Sequence, residues 1–298
     1  MTSILTNVAA NSALQTLSNI NMGLEETQGR VSSGYKVSEA SDNVAYWSIS
    51  TTMNSDNKAL NAASDALGVG AAKVDTAYAA MESAIDVVNE IKAKLVTASE
   101  SSTDKAQIQL EVGKLQEQLV SIAQGASFSG ENWMVASDDA PNTTVVDGFV
   151  RTTATDGTET VQVTTASYTV KDYALFSSVD GGVGTDGILG DVFKLNLTSE
   201  EDDAPTISTM IGTVETALAE MTIAGGALGA LSTRIDLQSD YAGKLSDAIE
   251  EGVSRLIDAD MEEESAKLSA LQTQQQLAIQ SLSIANSSSQ NIMTLFRG

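Results

Sequence analysis

Apolar residues recur at alternating spacings of three and four along two long stretches, and the segment between them keeps another rhythm. The clearest run is Leu60, Ala63, Leu67, Gly70, Val74, Ala77, Met81, Ala84, Val88, Ile91, Leu95 and Ala98. Such alternation is the seam of a coiled coil. At 1.5 Å per residue it predicts a rod on the order of 60 Å long. Ahead of it, Ile4, Val8, Leu14, Leu17, Ile20, Leu24 and Val31 predict a first helix. Ser32-Ser33-Gly34 marks its end, since glycine readily takes the left-handed conformation after a helix. Residues 35–57 mix polar positions with Tyr46, Trp47 and Ile49 and read as an irregular connector. Glu100 to Thr103 turns the chain, with Ser102 or Thr103 as the cap of the next helix. That helix carries Ile108, Val112, Leu115, Leu119 and Ile122, ends near Gly125, and completes a helical hairpin.

Between about 134 and 205 the period shortens. Thr160 to Thr164, Tyr168 to Val170 and Val192 to Leu197 alternate as strands do. Asp147-Gly148 and Asp156-Gly157 read as turns. The helical rhythm resumes with Ile211, Val214, Leu218, Met221, Gly225, Leu228, Ser232, Ile235, Ser239, Ala242, Ser246, Ile249, Val253 and Leu256. A last segment carries Leu268, Leu271, Gln275, Ala278, Leu282, Ala285, Ser289, Ile292 and Phe296. Leu277, Ile279, Ile284 and Leu295 lie off that line, and a helix apolar on more than one face needs more than one neighbour. The two prolines, Pro141 and Pro205, sit in or beside the middle, so both arms are free to run as long helices. The predicted fold is mainly α: long antiparallel coiled-coil-like helices from both ends, with a small β-rich inserted middle.

Composition narrows the function. Of 298 residues, 42% are hydrophobic but only 4% aromatic, which suits thin helix–helix seams. The net charge is −24. Residues 1–133 hold 8 basic and 15 acidic side chains, 134–205 hold 3 and 13, and 206–298 hold 5 and 12. With no basic segment, nucleic acid and anionic membranes are poor partners. Cysteine is absent, excluding disulfides and thiolate metal sites. The opening residues lack a basic region followed by a continuous apolar run. The expectation is a cytosolic chain, or one exported by a route that reads no cleaved signal.

Histidine is also absent, which removes imidazole bases, Ser-His-Asp triads and His-based zinc motifs. No catalytic residue and no cofactor or metal site is predicted. Asp258 to Glu264 is rich in carboxylates, but acidic residues at a helix start meet the helix dipole favourably without a cation. Gly181 to Leu189 fits a calcium-binding nonapeptide once, whereas that architecture stacks at least three copies. The expectation there is a flexible loop. Gln272, Gln274, Gln275 and Gln276 interrupt the last seam; polar seam residues weaken it and restrict its register.

Four elements carry a family resemblance. Arg30-Val31-Ser32-Ser33-Gly34 with Ala40-Ser41-Asp42-Asn43-Val44-Ala45 resembles the amino-terminal signature of bacterial flagellins. Ser127 to Trp133 resembles their F-x-G element. Ser254 to Asp260 resembles the element before their last helix, and Gln290 to Arg297 resembles their carboxyl terminus. The resemblance covers about 1–135 and 208–298.

It implies a filament-forming subunit for swimming motility, exported unfolded by the flagellar secretion apparatus and residing in the extracellular filament. Residues 1–34 and 257–298 are then inner-core helices, and 35–135 and 206–256 the arms. Residues 136–205 form a variable, surface-exposed β-rich domain. Self-assembly residues are Ile4, Val8, Leu14, Leu17, Ile20, Leu24, Leu268, Leu271, Leu282, Ile284, Ile292, Leu295 and Phe296. Implied partners are copies of the chain, other flagellin subunits, an export chaperone, a filament cap and hook–filament junction proteins. A junction protein of the same family, or an exported coiled-coil adhesin, are the alternative readings.

One departure stands out. In many flagellins the segment matching Asn89, Glu90, Ile91, Lys92, Lys94 and Leu95 carries arginine at position 90 and leucine at position 94. That arginine belongs to the surface read by an animal innate receptor. Reversing its charge implies weak or absent recognition.

Overall fold

A computed structural model describes residues 7–100, 102–137, 142–153, 159–198 and 206–295; the side chains of 153, 159 and 288–295 lie outside that description. The chain divides into two units: residues 58–246, and residues 1–57 with 247–298.

The unit of residues 58–246 is built on α2 (Val44–Ala98), α3 (Lys105–Gly125) and α6 (Ile207–Ile257), the outer ends of α2 and α6 belonging to the other unit. Every residue of the predicted Leu60–Ala98 seam is buried, and Leu67, Val74, Ala84, Val88, Ile91 and Leu95 have no exposed surface. On α6, Val214, Met221, Leu228, Ile235 and Ala242 are buried in turn. The two helices run antiparallel in constant register. Asn61 meets Ser246, Asp75 meets Ser232, Met81 meets Gly225, and Lys92 pairs with Glu215. Sequence-distant arms thus close on each other, as the paired stripes predict.

The α3 helix packs its Ile108, Val112 and Leu119 into the same core. Its N-cap is Asp104, whose carboxylate accepts from the amides of Ala106 and Gln107, rather than Ser102 or Thr103. A carboxylate at that position satisfies two free amides and also meets the positive end of the dipole.

Among the described residues there are three two-stranded antiparallel sheets, one just before the inserted middle and two within it. A short hairpin joins β1 (Ser127–Phe128) to β2 (Glu131–Asn132) through Ser129 and Gly130, both at positive φ. A long ribbon pairs β3 (Thr143–Thr153) with β4 (Glu159–Tyr168). After α4 (Val170–Tyr173), β5 (Ser178–Asp180) pairs with β6 (Val183–Thr185), followed by α5 (Gly190–Phe193). The ribbon's base is buried through Val145, Ala166 and Tyr168. Tyr168 stacks on Trp133 with ring centroids 5.2 Å apart.

Four local expectations change. Residues 44–57 are helical rather than an irregular connector. Asp147-Gly148 is a bulge inside β3 rather than a turn: Val146 faces Thr165 and Gly148 faces Thr164. The extra residue aims Asp147 at Arg234 of α6, whose Nε lies 3.2 Å from the carboxylate. Val192 to Leu197 forms the end of α5 and a turn, not a strand. Gly181 and Gly182 make the tight β5–β6 turn at positive φ, so an ordered hairpin replaces the flexible loop. The predicted turn at Asp156-Gly157 lies outside the described residues.

The other unit pairs α1 (Val8–Ser33) with α7 (Met261–Leu295), beside the outer ends of α2 and α6. There Asn57 donates to Glu250, and Met53 lies against Gly252. No described helix is long and apolar enough to cross a membrane.

Candidate self-assembly surface

The termini of α1 and α7 are set by their own residues. Asn7 caps α1 by accepting from the amide of Ala10, and Gly34 ends it at φ 78° with its amide on the carbonyl of Arg30. Asp42 folds the following turn, accepting the amides of Ser38 and Glu39; these bonds hold its carboxyl below the usual carboxylate range. Asn43 then caps α2 through the amides of Ala45 and Tyr46. Asp260 caps α7 through the amides of Glu262 and Glu263. The acidic run is therefore the solvated start of a helix. Among the described residues no cluster of carboxylates has metal-binding geometry.

Two signature elements far apart in sequence meet here. Lys36 donates its amide to Ile257, Ala259 donates to Gly34, and Tyr35 bridges to Asp258. This bonding brings the end of α1 beside the start of α7, so the two helices lie antiparallel. Along the pair, Arg30 reaches Glu264 at 3.2 Å, Leu271 touches Gly23, Gln275 donates to Asn21 at 2.7 Å, and Asn7 donates to the carbonyl of Ala285 at 3.1 Å. Gln275, read as an interruption of the seam, is matched by an amide opposite. Nothing in the sequence alone pairs Asn21 with it.

The apolar residues predicted for assembly divide into two sets. Leu17, Ile20, Leu24, Leu268, Leu271 and Leu282 are half-buried. Val8, Leu14 and Ile284 are exposed, Val8 by 74% and Ile284 by 68%. Met22, Leu277 and Ile279 are exposed with them. Met22 was missed because it sits off the predicted stripe; its signal was a large apolar residue on the second face. A groove of about 600 Å³ runs between the helices, lined by Ala9, Ala13, Ile20, Leu277 and Ala278 among others. Ile4 and Phe296 lie outside the described residues, as do the side chains of Ile292 and Leu295.

The receptor-equivalent segment belongs to the other unit and holds two kinds of residue. Ile91 and Leu95 are fully buried seam positions, while Asn89 and Glu90 are exposed. Lys92 pairs with Glu215. Lys94 pairs with Glu111 at 2.6 Å, which raises the lysine's pKa.

A helix pair with uncovered apolar faces, joined at the meeting of two signature elements, is what a polymer subunit needs. Residues 4–139 match the family model of the bacterial flagellin N-terminal helical region, and residues 211–296 match that of the C-terminal helical region. The chain belongs to the bacterial flagellin family. It is 48% identical to Flagellin C and 45% identical to Flagellin A of Rhizobium meliloti strain 1021. It is 45% identical to a flagellin of Brucella melitensis biotype 1. In each case the alignment covers the whole of both chains. As a flagellin, the chain is a structural subunit that polymerises with itself into the extracellular flagellar filament, and it is not an enzyme.

Proposed function

We infer that polymerisation runs through the faces that α1 and α7 leave uncovered in a single copy. The observation that carries this is the exposure of Val8, Leu14, Met22, Leu277, Ile279 and Ile284 on one helix pair. Burying such a side chain fully is worth about 1.5–3 kcal/mol, so covering six that are half to three-quarters exposed supplies roughly 1–2 kcal/mol each. By spacing, Ile4 continues the line of Val8 and Leu295 that of Ile284, while Ile292 and Phe296 continue the seam of Leu282. The half-buried set, Leu17 to Leu24 and Leu268 to Leu282, holds the helix pair together and presents those faces.

The subunit leaves the cell by the flagellar route, with an export chaperone, a filament cap and junction proteins as partners. The family resemblance supports this reading. Exposed Glu90, and Lys94 occupied by Glu111, make the segment a poor ligand for a receptor that reads an arginine there.

Replacing Ile284 by Asp tests the assembly surface. Filament yield, followed by light scattering and electron microscopy after seeding, should fall to background while the circular dichroism melt of the free subunit stays unchanged. Normal filaments from this variant would refute the assignment.

A further inference from the structure

Two apolar surfaces of the unit of residues 58–246 stay uncovered in a single copy, and neither belongs to the helix pair α1 and α7. One is the outer face of the β3–β4 ribbon, where Phe149 stands opposite Val163 and Arg151 opposite Val161. The ribbon's other face is used by its own copy: Val145 meets Gly70 of α2, Asp147 is held by Arg234, and Gly148 lies against Gln238 of α6. The outer face therefore points away from these helices. The second surface is a stripe on α6, with Ile223, Leu237 and Tyr241 on one side of the helix and the small residues Ala227 and Ala230 between them. Val161, Val163, Ile223, Leu237 and Tyr241 are each at least half exposed. A two-stranded ribbon is marginal without a layer against it, and a helix apolar on a second face needs a second neighbour. A cleft of about 310 Å³ opens beside the stripe, between Ala227 and Ala230 on one side and Ser167 and Tyr173 on the other.

We propose that the outer face of one copy's ribbon lies along the α6 stripe of a neighbouring copy, β3 running in the same direction as α6, with Val163 over Ala230 and Val161 beside Leu237. This rests on the homopolymer reading. Copies in a helical polymer are related by a screw, so a patch meets a different patch on the next copy, and each copy offers one of each kind. The stripe of the same copy cannot take the ribbon face, which points the other way. The lengths agree: Val146 to Thr153 spans about 20 Å as strand, and Ile223 to Tyr241 about 27 Å as helix. Charge sets the direction. Between Glu220 and Arg234 α6 carries no charged residue, and Arg234 is occupied by Asp147 of its own copy. Around Leu237 and Tyr241, Asp236 and Asp240 flank the stripe, and Lys244 continues it. In the proposed direction Arg151 reaches Asp240, and the far end of the ribbon, acidic by sequence through Glu159 and Asp156, comes toward Lys244. The reverse direction would bring that acidic end onto Glu220. The side chains involved number far fewer than the roughly 20–30 a side of a stable pair, so the contact forms only where the polymer already holds copies together.

Cysteine is absent from the chain, so introduced cysteines report cleanly. Filaments carrying Val163→Cys together with Ala230→Cys, treated with a mild oxidant, should give a ladder of dimers, trimers and longer species on a non-reducing gel, because each copy donates one cysteine and receives another. The ladder should not change on tenfold dilution of the filaments. Either substitution alone should stay monomeric, as should the double variant before assembly. Val161→Cys with Leu237→Cys should give the same ladder, and Val161→Cys with Ile223→Cys several-fold less. Arg151→Glu added to the first pair should cut the ladder several-fold, and Asp240→Lys added to that should restore it, which an effect of Arg151 on its own ribbon would not allow. The proposal is overturned if filaments of either matched pair give no ladder, if single-cysteine filaments give as much dimer as the pairs, or if the link forms within one copy or is lost on dilution. It is equally overturned if Ile223→Cys links as well as Leu237→Cys, or if Asp240→Lys fails to restore the ladder. Failure of the unsubstituted chain to form filaments would defeat the polymerisation reading instead, so the two failures are distinguishable.

Discussion

Val145 of β3 packs against the backbone of Gly70 on α2 so closely that a β-carbon at position 70 has no room. Gly70 occupies a seam position by its spacing, where a larger apolar residue would serve the helix better. It is glycine because the base of the ribbon sits directly on the helix. Gly68, two residues earlier, is exposed and has nothing within 4 Å of its would-be β-carbon.

These two glycines make opposite predictions. Gly68→Ala should stabilise the subunit by roughly 0.5–1 kcal/mol, since alanine costs less backbone entropy in a helix. Gly70→Ala gains the same propensity but forces Val145 outward, and should destabilise by about 1–3 kcal/mol. Urea denaturation of both variants measures the difference. Faster amide exchange in β3 and β4 should accompany the second change alone.

Tyr168 is 4% exposed, and its hydroxyl has no hydrogen-bond partner among the described residues. Burial, with Tyr173 nearby, pushes its phenol well above the ordinary value. The folded state therefore favours the protonated form. The stability this contributes is present below about pH 10, the unfolded value, and is lost as pH rises beyond it. Tyr168→Phe should remove that alkaline loss. It keeps the ring stacked on Trp133, so at neutral pH it should be neutral or stabilising by up to about 1 kcal/mol. Thermal melts at pH 8 and 11 on both proteins check this.

Arg30 links α1 to the buried Glu264, whose side chain is 10% exposed. Removing the cation leaves a carboxylate in a poorly hydrated place. Lys267 remains 3.9 Å from the same carboxylate and Arg30 is itself partly exposed, so Arg30→Met should cost about 1–3 kcal/mol, below the range for a fully uncompensated buried charge. Arg30→Met with Glu264→Leu should recover most of it. Chemical denaturation of the single and double variants gives the coupling.

Gln116 is a single buried amide on α3 that donates toward the carbonyls of Val192, Phe193 and Leu195 at 3.0, 3.2 and 3.3 Å. Gln116→Leu should leave the end of α5 short of a donor and destabilise by about 1–3 kcal/mol. Hydrogen exchange should show the amides of residues 190–197 opening first.

The long helices were legible because period decides them. From Leu60 to Ala98 a stripe of constant spacing has one physical use, a buried seam, and each of its positions is buried. Gly34 as a helix stop and the acidic start of α7 were legible for the same local reason: caps are satisfied by adjacent residues.

What failed was decided by distant groups. Residues 44–57 look irregular because they are polar and β-branched. They are helical with Asn43 as their cap, and distant residues hold them: Asn57 donates to Glu250, and Met53 lies against Gly252 of α6. Val192 to Leu197 alternates like a strand, yet Gln116, 76 residues earlier, takes the carbonyls a neighbouring strand would need. Asp147-Gly148 carries a turn's residues, but Arg234 holds Asp147 in a bulge.

By itself, then, the sequence determined where the helices run outside residues 44–57, which of their faces are apolar, and where α1 stops, because those depend on residues within a turn or two. Only the tertiary structure decided which apolar residues a single copy can cover. Leu271 finds Gly23 across the helix pair, while Ile284, in the same helix, finds no cover and stays exposed. That division depends on partners hundreds of residues apart, which spacing along the chain does not encode.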